Sequence, residues 1–221
     1  MPFTSPRQLE KTRSKSVIRE YAEAIIIAVL LALVIRAFIV QAFKIPSGSM
    51  KPTLLVGDHI LVSKFIYGIK IPFTEKELFH LSNPKHADIV VFEYPVDPSK
   101  DFIKRVIGLP GDTVRIENKQ VYVNDQPLTE PYAVFNDDKV LPAAVSPRDN
   151  MDPIVVPARS LFVMGDNRDE SYDSRFWKFV DMDALKGKAF IIYWSWNREG
   201  SLKLDSDDSY IRWKRIGKWL H

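Results

Sequence analysis

The chain has 221 residues, 46% hydrophobic and 27% charged, with 31 Lys+Arg against 28 Asp+Glu and a formal net charge of +3. That is enough chain to bury a sizeable core in one or two domains, and too even a charge balance for a strongly basic nucleic-acid binder. Cysteine is absent, which excludes disulfides, thiol nucleophiles and thiolate metal sites, and His59, His80, His86 and His221 are too scattered to form a local metal motif.

Residues 24–43 carry a single charge, Arg36, in a run dominated by Ala, Ile, Leu, Val and Phe without Pro or Gly. As a helix such a run spans about 30 Å, one hydrocarbon thickness. Residues 1–23 form a basic terminus, with Arg7, Lys11, Arg13, Lys15 and Arg19 against Glu10 and Glu20. That excess keeps this end in the cytoplasm. A buried core helix and a cleaved signal peptide are the competing readings. A signal peptide's apolar core is usually only about 7–15 residues and is followed by small residues, whereas here the longer run is followed by Lys44. The expectation is an uncleaved single-pass anchor at 24–43, with residues 44–221 on the far side.

Beyond it come short runs rich in Val, Ile, Phe and Tyr, at 60–62, 89–92, 102–107, 114–116, 121–123, 160–164 and 189–194. Gly-Asp pairs at 57–58, 111–112 and 165–166 adjoin them as turns. This predicts a mostly β fold built from an antiparallel sheet, and no long helical pattern intervenes that would make βαβ units. Residues 124–157 hold Pro127, Pro131, Pro142, Pro147, Pro153 and Pro157 with few apolar runs, and are expected to form an inserted subdomain. The basic, Trp-bearing segment 210–220 reads equally as a membrane-surface element and as a closing strand or turn.

Certain segments carry chemistry. In 45–54, Pro46 and Gly48 fix a tight backbone bearing Ser47 and Ser49. A serine held there suits a nucleophile, although a plain turn fits as well and the segment is not a G-x-S-x-G elbow. In 101–112, strand alternation puts Phe102, Lys104 and Val106 on one face and Ile103, Arg105 and Ile107 on the other. A lysine on an apolar face must lose its proton or find an anion. Bringing its pKa from about 10.4 to near 7–8 penalises the ammonium by about 4 kcal/mol, which burial can supply, leaving a neutral general base. Snorkelling at a sheet edge or pairing with a carboxylate is the plainer alternative. Residues 164–177 are dense in Asp, Asn, Ser and Arg but lack the spacing of a calcium loop. They read as a solvated loop, or as a scaffold in which carboxylates pair with Arg168 and Arg175 while Ser171 orients an amine.

Taken together, Pro46-Ser-Gly-Ser-Met50, Gly57-Asp58 through Ser63-Lys64, Lys104-Arg-Val-Ile-Gly-Leu-Pro-Gly-Asp112, and Gly165-Asp-Asn-Arg-Asp-Glu-Ser171 with Asp173-Ser-Arg175 resemble the boxes of bacterial type I signal peptidases. These are membrane-anchored serine–lysine endopeptidases that remove signal peptides from exported proteins. The resemblance implies Ser49 as nucleophile and Lys104 as general base. It implies an oxyanion hole from the Ser47 hydroxyl and the Ser49 N–H, a hydrogen bond from Ser171 to the lysine amine, and structural support from Asp166, Asp173 and Arg175. Small pockets lined by Phe43, Ile45, Met50, Phe102 and Ile103 would admit small residues at −1 and −3 of a substrate held between Asp101-Phe102-Ile103 and residues 43–47. No metal or cofactor is implied. The implied partners are exported preproteins, membrane lipid and the secretion machinery, with no nucleic acid. The implied location is the bacterial cytoplasmic membrane, with the catalytic domain outside. Lys178 stands where the family usually has Gly, and a single membrane segment departs from two-span members.

Rival readings are a membrane-anchored, non-catalytic β module that binds peptides of the export pathway, and a Ser-His-Asp hydrolase using His59 beside Asp58. A helical S-x-x-K pair at Ser82 and Lys85 is opposed by Pro84. A cytosolic self-cleaving repressor would need a DNA-binding domain for which the leading residues leave little room.

Overall fold

The computed structural model describes residues 17–34, 39–67, 82–197 and 210–220, apart from the Val34 side chain. The chain divides into two units, residues 1–37 and 38–221.

The first unit contributes helix α1 (Val17–Val34). Its charges lie in the opening turns, where Arg19 donates to Glu23 at 3.0 Å. Ile25, Ile26, Ile27, Val29, Leu30, Leu31 and Leu33 follow, all exposed. Among the described residues no helix is long and apolar enough to cross a membrane. Residues 1–16 of the expected basic terminus, and Arg36, lie outside the described residues.

The second unit corrects the end of the expected helical run. Val40–Lys44 is strand β1, antiparallel to β2 (Asp58–Ser63), with Val40 opposite Ser63 and Lys44 opposite His59. Val40 and Phe43 suit a pleated surface, Gln41 breaks the apolar run, and β2 offers an edge that satisfies the backbone. The remaining strands are β3 (Ile89–Tyr94), β4 (Asp97–Gly108), β5 (Thr113–Glu117), β6 (Gln120–Val123), β7 (Gln126–Pro127), β8 (Met151–Val155), β9 (Ser160–Met164), β10 (Val180–Asp181) and β11 (Leu185–Ser195), with a short helix α2 (Ser174–Trp177) before β10. Every strand run expected from the sequence is present.

The strands form a 7-stranded sheet, ordered β1-β2-β11-β3-β4-β9-β10, and a 4-stranded sheet, ordered β7-β6-β5-β8. The smaller sheet therefore opens at Thr113, ahead of the expected border at 124. Pro131, Pro142 and Pro147 lie in the long loop between β7 and β8, Pro127 and Pro153 lie in those strands and Pro157 follows β8, whereas β5 and β6 turn tightly through Asn118 and Lys119, which both have positive φ.

β4 is the axis of the unit. Ile103 joins Ile45, Met50, Leu54, Ile60 and Ile192 in one core, so the large sheet curls until its edge and its middle share a cluster. Val106 packs with Val90, Phe92 and Leu161 in a second core. Ile107 reaches a third, with Val114, Val121 and Phe162, which ties on the small sheet. The 210–220 segment closes the fold: Ile211 bridges Trp196, Trp219 bridges Ile191 and Leu220 is buried. Trp213 and Trp219 stay exposed on it.

Helix α2 is capped by Asp173, whose side chain accepts from the Arg175 N–H. It ends at Lys178 with φ +72° and ψ −95°, a region that suits glycine. Lys178→Gly is expected to stabilise the unit by about 1 kcal/mol, after allowing for glycine's greater unfolded-state freedom. A thermal melt should show a rise of about 2–4 °C; an unchanged or lower midpoint would refute the strain.

Candidate active site

Lys104 leaves β4 on the face of Phe102, whose ring centroid lies 5.2 Å from Nζ. It is 4% exposed. Nζ donates to Ser49 Oγ at 2.8 Å and to the Ile103 carbonyl at 3.0 Å. Burial lowers the amine pKa from 10.5 to about 8, against the upward pull of Asp173 and Asp166 and with help from Arg175. The result is a lysine that parts with its proton near neutrality.

What keeps it there is the pairing of the nearest carboxylates with other cations. Asp166 takes Arg105 through two contacts of 2.8 Å. Asp173 takes Arg175 at 2.8 and 2.9 Å. Burial alone would raise the Asp173 pKa, but Arg175 and the Gly165 N–H hold it below the usual carboxylate range. Asp173 thus remains anionic, and each of the two carboxylates is gripped bidentately by an arginine. Lys104 is left with a hydroxyl and a carbonyl, neither of which locks in an ammonium as a carboxylate would. Asp169 pairs with Lys119 at 3.0 Å. Asp166, Asp169 and Asp173 of the acidic 164–177 segment are therefore in ion pairs, while Glu170 accepts from Asn167 Nδ2 at 3.0 Å.

The Ser49 turn is pinned from several sides. Its carbonyl accepts from the Asn167 N–H at 3.1 Å, and Asn167 Nδ2 donates to the Gly48 carbonyl at 3.2 Å. Behind it, Arg215 donates to the Thr53 carbonyl at 2.8 Å and grips buried Asp58. Asp58 also accepts from the Leu55 N–H and the Ser195 hydroxyl.

The structure brings Ser49 and Lys104 together, with Asp166, Asp173 and Arg175 around them. Ser47 is exposed on the same turn. Ile45, Met50 and Ile103 are core residues, while Phe43 and Phe102 are only partly buried. Asp101 pairs with Lys186 at 2.6 Å. Ser171 is buried, and the expected hydrogen bond between it and Lys104 is not among those Nζ makes. His59 lies in β2 with its ring against the edges of Tyr193 and Trp196, away from the bonds of Ser49. The Ser82 hydroxyl donates to the Asn83 carbonyl at 3.2 Å and the Lys85 backbone N–H to Asp88 at 3.0 Å. Arg105, Asn167 and Arg215 were given no role in the sequence reading. Arg105 had a signal, because a guanidinium alternating with Ile103 and Ile107 on an apolar face requires a buried anion.

A family model described as signal peptidase, peptidase S26, matches residues 18–194. The signal peptidase I of Pseudomonas aeruginosa is 38% identical over 220 residues, covering 86% of this chain and 78% of that protein. The signal peptidase I of Leptolyngbya laminosa is 39% identical over 212 residues, covering 91% and 93%. A crystal structure of a signal peptidase I from Enterococcus faecalis is 28% identical with a TM-score of 0.40, covering 48% of this chain and 97% of that one.

Gly165 joins β9 to the Asp166–Asn167 turn, and its missing side chain lets that turn approach the Ser49 loop. A Cβ there would collide with the Ser49 carbonyl oxygen and the Ser171 hydroxyl, and would sit 2.6 Å from Ser171 Cβ. Gly165→Ala is expected to lower stability by about 1–3 kcal/mol through overpacking. Denaturant unfolding measures this, and a wild-type midpoint would show that the approach is looser than described.

Proposed function

The chain belongs to the signal peptidase, peptidase S26, family, and we propose from that premise that it cuts signal peptides from exported preproteins with Ser49 as nucleophile and Lys104 as base. The observation that carries this reading is the 2.8 Å contact between Lys104 Nζ and Ser49 Oγ in a site shielded from water.

Neutral Lys104 takes the hydroxyl proton as Ser49 Oγ attacks the scissile carbonyl. The negative charge that develops on the carbonyl oxygen falls to the Ser49 N–H and the Ser47 hydroxyl, donors fixed before the reaction begins; losing one such donor typically costs about 3–4 kcal/mol of barrier. The ammonium then protonates the departing amine, leaving an ester on Ser49. The amine, neutral again, deprotonates a water that attacks the ester, and the proton returns to Ser49. Ser171, Asp166, Asp173 and Arg175 shape this pocket.

The substrate has a strand to pair with. Arg105 of β4 registers with Met164 of β9, and pairing on that side ends there, while β3 continues to pair with Asp101, Phe102 and Ile103. Backbone groups alternate along an antiparallel strand, so Ile103 and Asp101 turn theirs to the same side as Arg105, where no strand pairs among the described residues. An extended peptide adding to that edge is read through its main chain. Ile45, Met50 and Ile103 make a packed floor that leaves room for small side chains at −1 and −3, with Phe43 and Phe102 as walls.

The apolar run from Ala24 to the residues before β1, of which α1 describes the part up to Val34, is proposed as a single membrane anchor with the basic terminus in the cytoplasm and the unit from β1 onward outside. Its hydropathy and the preceding basic charges support this. Membrane lipid and the secretion machinery are then neighbours, and anchoring raises the effective concentration of an emerging preprotein.

Ser49→Ala and Lys104→Met are each expected to lower cleavage of a preprotein at least about 10³-fold with the fold retained. Lys104→Arg should be as inactive, since a guanidinium stays charged. The appearance of a shortened product on a gel is the measurement, and wild-type cutting by Lys104→Met would sink the mechanism. Only the neutral amine is a base, so kcat should climb with pH, about tenfold per unit below the pKa, and level off above about 8. A profile that is flat across that range would exclude Lys104 as the base.

A further inference from the structure

The loop between β7 and β8 holds none of the expected site residues, yet its residues 130–137 are bonded to the 165–170 turn. The Val134 N–H donates to the Asp166 carbonyl at 2.8 Å, and the Arg168 N–H donates back to the Val134 carbonyl at 3.0 Å. Asn136 Nδ2 donates to Asn167 Oδ1 at 2.8 Å, and the backbone N–H groups of Asn136 and Asp137 both reach Asp169. Two side chains go further in. Glu130 receives both terminal nitrogens of buried Arg168, one of them at 2.7 Å. The Tyr132 ring lies 3.9 Å from Arg105 Cζ, and its hydroxyl donates to Glu130 at 3.3 Å.

Arg105 is the neighbour of Lys104 on β4, and Asp166 meets its edge while Tyr132 covers its face. Arg168 in turn donates from Nε to the Gly165 carbonyl at 3.1 Å. The turn so held presents Asn167 to the carbonyls of Ser49 and Gly48. We propose that Glu130 and Tyr132 are positioning residues, which hold Arg168 and Arg105 so that the turn keeps Ser49 against Lys104 and water stays out of the Arg105–Asp166 pair. The inference rests on the serine–lysine reading above. It gives the small sheet's loop a part in catalysis without contact with the reacting atoms.

A ring on the face of a guanidinium shields it without competing for the carboxylate at its edge. Remove the ring, and water reaches the pair and weakens the hold of Arg105 on Asp166. The charges facing Lys104 are Asp173, Asp166 and Arg175. With Asp166 less closely matched by Arg105, its upward pull on the amine grows, and Lys104 keeps its proton to higher pH.

The experiment measures kcat and KM for preprotein cleavage by the full chain between about pH 6 and about pH 10. Tyr132→Leu is expected to lower kcat about tenfold with KM within about twofold, because small displacements at the reacting atoms act on the chemical step. Its kcat midpoint should move to higher pH, and Tyr132→Phe, which keeps the ring, should recover most of the loss. Glu130→Gln should also lower kcat, with partial recovery in Glu130→Asp. Wild-type kcat and midpoint in Tyr132→Leu overturn the proposal, as does a change confined to KM or an equal loss in Tyr132→Phe. Should circular dichroism show that Tyr132→Leu does not fold, Glu130→Gln decides: an unchanged kcat and midpoint there overturn it. Lys104→Met in parallel separates the layers, since normal cutting by that variant defeats the serine–lysine reading itself.

Discussion

A lysine amine kept out of water, with only a hydroxyl and a peptide carbonyl for partners, is the constraint around which this fold is arranged. An ammonium in such a place is unstable relative to one in water, and the usual remedy is a carboxylate alongside. Here the carboxylates are near, but Asp166 and Asp173 are each held by an arginine. The lysine feels them at a distance without bonding to either. Moving one of these carboxylates into contact with the amine would trap the proton on it.

That arrangement depends on parts far apart in the sequence. Lys104 meets Ser49 across 55 positions, and Arg105 meets Asp166 across 61. β4 makes both meetings possible because successive residues face opposite ways: Lys104 serves one cluster while Arg105, beside it, braces the turn that carries Asp166. Buried ion pairs of this kind add little to stability compared with well-packed apolar groups. Their presence at 0–2% exposure is better understood as the means of fixing geometry.

Period-two patterning made the strands legible, and the same alternation singled out Lys104 as a lysine pointing the way of apolar neighbours. Ser49 was legible as a hydroxyl on a Pro/Gly-stiffened turn, and the resemblance to a family placed the remaining candidates. The end of the leading apolar run was not legible. A helix and a buried strand share its composition, and only the pairing of β1 with β2 decides that Val40–Lys44 is strand. The border of the small sheet was misplaced because most of the prolines of 124–157 lie in β7, β8 and the loop between them, while β5 and β6 carry none. Glu130 and Tyr132 were invisible because their meaning lies in the guanidinium groups they cover, and neither residue is unusual in its own stretch of sequence.

The unpaired side of Asp101–Ile103 has a second consequence. An edge left without a partner strand among the described residues is open to a copy of itself, and open edges invite chain-to-chain stacking into insoluble assemblies. The exposed end of β4 is ill suited to that. Pro98 cannot donate to a ladder, and Lys100 and Asp101 follow it at the outer end, tied to Asp97 and Lys186. Two copies laid edge to edge would bring these charges together and find only a few residues to share. The receptive stretch is long enough for a transient guest and too short, and too guarded, to seed a fibril.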